Sequence, residues 1–302
     1  MAQSKQVKQH RKENEIARTK SIKSDRSACY HVMSRIVGEY YLLKTDEAKE
    51  ALLDSLHRAA VFSGVDVAGF CIMDNHFHVC CQLPKRDPGA VPDEEVLRRA
   101  EYVKGRDGFR RMMVELDALR AYGDIDGYNA RLQALRARMY DISQFVKTFL
   151  EVFSRRFREQ TGYVGRLWGD RFKSVLMKDT AQFRRCLKYI ALNPVRAGMV
   201  NRIVAYAWNT QGAARRGDEF AKRCLAWGMA FAGGDCPVEG WMLRRCVQMS
   251  AGKILGSAAF VEEAIARYGA GLRSGRLRAR LVADGMYSSH GHRLAKKAMS
   301  KA

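Results

Sequence analysis

No two cysteines in this chain stand in C-x-x-C spacing, although there are eight: Cys29, Cys71, Cys80, Cys81, Cys186, Cys224, Cys236 and Cys246. Zinc-finger spacing is thus absent. Most of these cysteines sit in apolar runs, where cysteine behaves as a small hydrophobe. No apolar run approaches membrane-spanning length. The first twenty residues, MAQSKQVKQHRKENEIARTK, are polar throughout, unlike a signal peptide. These absences predict a cytoplasmic protein with reduced thiols and no membrane association. Proline is scarce, with 5 in 302 residues. Acidic residues are in short supply as well: Asp+Glu 32 against Lys+Arg 53, a formal net charge of +21. A surplus of that size favours a polyanionic partner, nucleic acid before an anionic membrane surface.

The chain is 47% hydrophobic, enough to bury a real core, and long enough for two ordinary domains. Residues 1–26 read as a basic, flexible arm, whether a solvated tail or one that tracks phosphates. SACYHVMSRI (27–36) reads as a strand. DEAKEALLDSLHRAAVFS (46–63) has helical spacing and stops at Gly64. Residues 65–83 read as a tight antiparallel hairpin turning at Asp74-Asn75. Three of the prolines fall within residues 84–93 and open a charged helical insert that runs to about residue 140. DISQFVKTFLEVFSRRFREQ (141–160) is an amphipathic helix with Phe145, Phe149, Val152, Phe153 and Phe157 on its stripe. Residues 163–178 read as extended. In DTAQFRRCLKYIALNPVRAGMV, Asp179 and Gln182 have capping-box spacing and Pro194 is expected to stop the helix after Asn193. After residue 211 the pattern becomes short helices joined by glycine, then a basic tail. The order strand, helix, strand, strand, helix, strand, helix predicts an α+β fold. Its expected core is a ferredoxin-like antiparallel sheet with helices on its faces, carrying the helical insert at about 84–140 and a helical C-terminal region, 211–302.

The most informative stretch is MDNHFHVCC, residues 73–81. Side chains alternate along a strand, so His76 and His78 face one side and Phe77 the other. Two imidazoles at i, i+2 suit a metal ion, yet such a pair on a strand is more often structural. Tyr189 alone reads as half-buried core, and Asn193 alone as a helix end. On the helix, Arg185, Tyr189 and Asn193 fall on one face. Together they place an oxygen ligand and a phenol one helical turn apart, in a strongly basic chain. Arg166, Arg171, Lys173 and Arg196 lie near these motifs in sequence and are candidates for phosphate contacts, or for a solvated basic face. Tyr163, Trp168 and Phe172 suit either base stacking or core packing.

MDNHFHV resembles the His-hydrophobic-His motif of the HUH endonucleases. GRLWGDRFKS and YIALNPVRAGMV resemble the matching blocks of the REP-associated tyrosine transposases, a group of single-tyrosine transposases, in the same order and with similar spacing. The resemblance covers about residues 27–210 apart from the insert, and extends more faintly into GKILGSAAFVEEAI. It implies an HUH nuclease core in which His76 and His78 bind a divalent Mg²⁺ or Mn²⁺, with Asn193 at the position of the third ligand, often glutamine in relatives. It implies that Tyr189 is the nucleophile. The turn reads Asp74-Asn75 where many members have a proline.

The same resemblance implies cleavage and rejoining of single-stranded DNA, usually beside a hairpin, through a 5′-phosphotyrosine and a free 3′-OH. It implies DNA as partner and either a monomer or a homodimer. Two other readings remain open: a domesticated protein that holds DNA hairpins without cutting them, and a zinc hydrolase acting on a small molecule, against which the charge and the lack of a third strong ligand argue.

Overall fold

The computed structural model describes residues 26–178, 180–233, 254–268, 278–283 and 286–290. Of the basic arm, only Arg26 falls among them. The chain folds as an α+β protein around one sheet. Strand β1 (Ala28–Arg35) leads to helix α1 (Asp46–Ser63), then to β2 (Asp66–Ile72) and β3 (His76–Leu83). Two helices follow, α2 (Asp93–Ala121) and α3 (Ile125–Arg136), then α4 (Ile142–Thr161), β4 (Lys173–Met177) and α5 (Thr180–Arg196). The four strands lie in the order β2-β3-β1-β4 with every pair antiparallel.

Local chemistry sets these boundaries. The Thr45 hydroxyl accepts from Ala48 N at the start of α1, and Gly64 closes the helix at φ 65°, a conformation that costs glycine little. The Asp141 side chain accepts from the backbone of Ser143 and Gln144 at the start of α4. The four phenylalanines expected on the α4 stripe are all buried. Phe77 meets them through Phe149, at 4.9 Å between ring centroids. Helices α1 and α4 therefore cover the Phe77 side of the sheet, and α5 covers the other.

The insert is helical, as its pattern predicts. It builds a small core of its own, in which Val96, Val103, Leu116, Tyr128 and Leu132 pack on Phe62 of α1 and Val152 of α4. It therefore sits on the α1–α4 layer, away from the face that carries the histidines. Past α5, helices α6 (Thr210–Arg215) and α7 (Glu219–Ala232) cover the outer edge of β2. Phe70 N donates to the Thr210 hydroxyl and Ile72 N to Trp208 O, which satisfies backbone groups that an edge strand otherwise leaves open.

Several expectations need correction. Pro194 does not end α5, which runs on to Arg196 with the proline inside it. The ring costs the helix the bond to Ile190 O, but the helix closes within a turn: Ala197 N donates to Asn193 O, Met199 N to Pro194 O, and Gly198 adopts φ 69°. Of residues 163–178, only Lys173–Met177 is strand. The C-terminal region is not purely helical. Strand β5 (Ile254–Gly256) pairs in parallel with β4, helix α8 (Ala258–Tyr268) follows, and β6 (Arg278–Ala283) and β7 (Met286–His290) extend the sheet in the order β4-β5-β7-β6. The open edge of β4 accounts for this. An unpaired ladder recruits extended segments. His290 ends β7 opposite Arg278. Asp179, the cap of the expected capping box, lies outside the described residues. Among the described residues no helix is long and apolar enough to cross a membrane.

Candidate active site

The turn before β3 is fixed from several sides. Met73 N donates to His76 O. The Asp74 carboxylate takes an ion pair from the buried Lys49 ammonium at 2.7 Å. Lys49 Nζ also donates to Lys44 O, so this buried cation is doubly compensated. Asn75 Oδ1 lies 2.7 Å from His76 Nδ1. A carbonyl oxygen only accepts, so the His76 proton sits on Nδ1 and the lone pair on Nε2.

Strand register sorts the side chains by face. Met33 pairs with His78 and Arg35 with His76, so these four and His31 point toward α5. His76 and His78 share that face, and Phe77 points the other way, as alternation requires. His31 Nε2 lies 2.9 Å from His78 Nδ1. His31 is 1% exposed and also hydrogen-bonds the Cys186 thiol. When the other ring N–H of His31 donates to the Cys186 sulfur, its Nε2 accepts from His78 Nδ1–H. The His78 Nε2 then carries the lone pair.

Burial is the main reason both imidazoles resist protonation. His76 is held down to about 4 by burial and by the Arg35 charge, with Asp74 opposing. His78 lies well below its usual value through burial, then through His31, His76, Arg35 and Arg196. Both rings are therefore neutral at neutral pH and can accept a cation without first losing a proton.

Helix α5 brings the tyrosine over His78 and His31. It approaches the sheet closely at Gly69, where a Cβ would stand 2.7 Å from Leu187 Cδ2. The Tyr189 ring meets His78 edge-on at 5.6 Å and His31 at 5.7 Å. The Arg196 guanidinium lies 5.6 Å above the Tyr189 ring. Tyr189 is 6% exposed, deeper than a half-buried core tyrosine. One turn on, Asn193 is 9% exposed, and its Nδ2 has no hydrogen-bond partner. A buried amide of that kind is costly unless something outside the protein satisfies it.

Two imidazoles and one amide are a sparse donor set. Among the described residues no group of three His, Cys, Asp or Glu is placed to hold a metal. The two imidazoles share one face with ring centroids 5.1 Å apart, and neutral imidazole nitrogen suits Mn²⁺ better than Mg²⁺.

The four basic candidates divide. Lys173 pairs with Met33 on the histidine face and is exposed, and Arg196 is also exposed beside Tyr189. Arg166 and Arg171 lie on the loop that leads into β4 and are exposed. That loop is tied to the end of β1, since Gly169 N donates to Arg35 O and Val37 N to Leu167 O. Arg166 Nε donates to Trp168 O within it. Tyr163, Trp168 and Phe172 all pack against the core, and the Trp168 indole donates to Ser154. Residues 141–233 hold 17 Lys and Arg against 7 Asp and Glu, whereas the insert, 84–140, holds 12 against 10. Residues 27–83, with 4 Lys and Arg against 7 Asp and Glu, are net acidic, so within the core the surplus lies on the elements after the insert.

Sequence reasoning missed His31 and Asn75. Asn75 was visible as a polar residue beside a histidine. His31 gave no local signal, because only strand pairing brings it to His78.

No protein-family model matches the chain, and no curated protein matches it. Among solved structures the chain is similar to one titled as a REP-associated tyrosine transposase bound to a REP hairpin, with 14% identity, a TM-score of 0.40, and coverage of 66% of this chain and 84% of that one. The chain's likeness to that structure is a distant one.

Proposed function

We propose that the chain is a metal-dependent DNA strand transferase and endonuclease that cuts and rejoins single-stranded DNA beside hairpins, with Tyr189 as nucleophile. The observation that carries this reading is the Tyr189 ring lying edge-on against His78, on the face shared by His76. The strand order β2-β3-β1-β4, with its β-α-β-β-α-β connectivity, supports a ferredoxin-like HUH core. The motif blocks around His76, Tyr189 and Asn193 support it, as does the charge of +21.

In this reading His76 and His78 would hold Mg²⁺ or Mn²⁺, with Asn193 as the third ligand. The ion, when bound, supplies Lewis-acid polarisation of a phosphate oxygen. The protein's own groups do the rest. Arg196 and Lys173 hold the phosphate in place. The Tyr189 oxygen attacks phosphorus as the phenolic proton passes to solvent, the P–O3′ bond breaks with its electron pair leaving on O3′, and that oxygen takes up a proton from water. The products are a 5′-phosphotyrosine and a 3′-OH. A 3′-OH attacking the phosphotyrosine reverses these bond changes, which joins strands without an external energy source.

The depth of Tyr189 favours one second reading, a protein that binds hairpins without cutting. A labelled hairpin oligonucleotide with Mn²⁺ separates the two. A protein–DNA adduct that survives SDS supports the strand transferase. Binding without adduct supports the second reading, and absence of binding removes DNA from both.

A further inference from the structure

The segment between β1 and α1 carries two adjacent tyrosines that the core does not use. Tyr40 is 63% exposed and Tyr41 67%. Single exposed apolar residues are ordinary on a protein surface, but a neighbouring pair of large rings calls for a reason. Both ends of the segment are tied to the turn that carries His76. Ile36 N donates to Asn75 O at 2.9 Å, and Leu43 N donates to Asp74 O at 3.0 Å. Gly38 takes φ 61° beneath the Tyr40 ring, whose Cε2 stands 2.8 Å from where a Cβ would sit. The ring therefore rests in a place only glycine leaves open. On its other side the segment is bonded through Val37 to the loop that bears Arg166 and Arg171. The aromatics of that loop are already taken up by the core. The other exposed aromatic among the described residues, Tyr122, is on the insert.

We infer that Tyr40 and Tyr41 form a stacking platform for the unpaired bases of single-stranded DNA beside the histidines. The inference rests on the function proposed above and names where the strand lies. A phenol ring has few rotatable bonds and an apolar face, and every base offers a matching π-face. Bases inside a duplex are stacked on one another and offer none. The cations of Arg35, Arg166 and Arg171 flank the segment and suit the strand's phosphates. The platform thus selects for unpaired strand without reading sequence.

The test uses the full chain and two fluorescein-labelled probes, a hairpin with a single-stranded extension and a blunt duplex of the same sequence. Fluorescence anisotropy compares wild type with Tyr40→Ala/Tyr41→Ala and Tyr40→Phe/Tyr41→Phe. The alanine pair is expected to weaken binding of the tailed hairpin on the order of 10-fold or more, the scale of one base–aromatic stack. Duplex binding is expected to hold, and so is the salt dependence, because no phosphate contact is lost. The phenylalanine pair is expected to bind like wild type, since it keeps both ring faces. An alanine pair that binds the tailed hairpin as tightly as wild type overturns the inference. So does an equal loss on both probes. A change confined to the sedimentation coefficient also overturns it, by assigning the tyrosines to contact with a second copy. Wild-type protein that fails to bind the tailed hairpin removes the proposed function itself, so the two failures are distinguishable.

Discussion

The Nε2 of His31 and the Nδ1 of His78 lie 2.9 Å apart on the inner face of the sheet. A buried histidine on β1 thereby fixes the orientation of a residue on β3 that the proposed chemistry needs as a ligand. Groups that orient a ligand in this way typically change metal affinity 10- to 100-fold when removed. His31→Ala is accordingly expected to raise the Mn²⁺ concentration for half-maximal binding by roughly that factor, measured by the electron paramagnetic resonance signal of free Mn²⁺. Unchanged affinity would reduce His31 to packing.

Acid should destabilise the metal-free protein in a definite window. In the unfolded chain a histidine takes up a proton near its usual 6.5, while folded His76 does so only at about 4 and folded His78 well below its usual value. Between those limits the unfolded state binds more protons, so stability is full above about pH 6.5 and falls as the pH drops toward 4. For His76 alone the loss is on the order of 3 kcal/mol. Urea unfolding at a series of pH values should show the decline, and His76→Gln should flatten it. Stability that rises on acidification through this range would contradict the burial of the two rings.

Asn193 tests the third ligand position. As a ligand, Asn193→Ala should raise the Mn²⁺ needed for half-maximal cleavage, excess metal should restore activity, and Asn193→Gln should be tolerated better than Ala. Identical half-saturation in all three proteins would exclude Asn193 from the metal's surroundings. It would leave the unpartnered Nδ2 to be met by DNA or water.

Much of this architecture was legible in the sequence because it is written in local periodicity. Helix α1 (Asp46–Ser63) coincides with its amphipathic stretch, and the β2–β3 hairpin with its turn residues. The placement of His76 and His78 on one face followed from strand alternation. What depends on partners far along the chain was not legible. His31 reaches the site through the β1–β3 register. Strands β5 to β7 form because β4 has an open edge, which no local pattern reports. Pro194 read as a helix stop because its local effect is unfavourable, yet the helix runs on to Arg196 and closes through Ala197 N to Asn193 O and Met199 N to Pro194 O.

The close approach of α5 at Gly69 makes a further expectation. Gly69→Ala would place a methyl group 2.7 Å from Leu187 Cδ2. The leucine must rotate or the helix must lift, and overpacking of this kind costs about 1–3 kcal/mol. Thermal melting should show the loss. If the helix lifts, Tyr189 leaves the His78 edge and cleavage should fall more than hairpin binding. Equal losses in the two would mean that Leu187 absorbs the change.

The most direct measurement is peptide mapping of the covalent adduct formed on a single-stranded hairpin with Mn²⁺, alongside the Tyr189→Phe variant. The expected result is a nucleotide attached through its 5′-phosphate to the peptide containing Tyr189. With it, adduct should be lost in the phenylalanine variant while hairpin binding stays nearly intact, because only one oxygen has been removed. Adduct on a different tyrosine, or undiminished adduct from Tyr189→Phe, would contradict the assignment of Tyr189 as nucleophile.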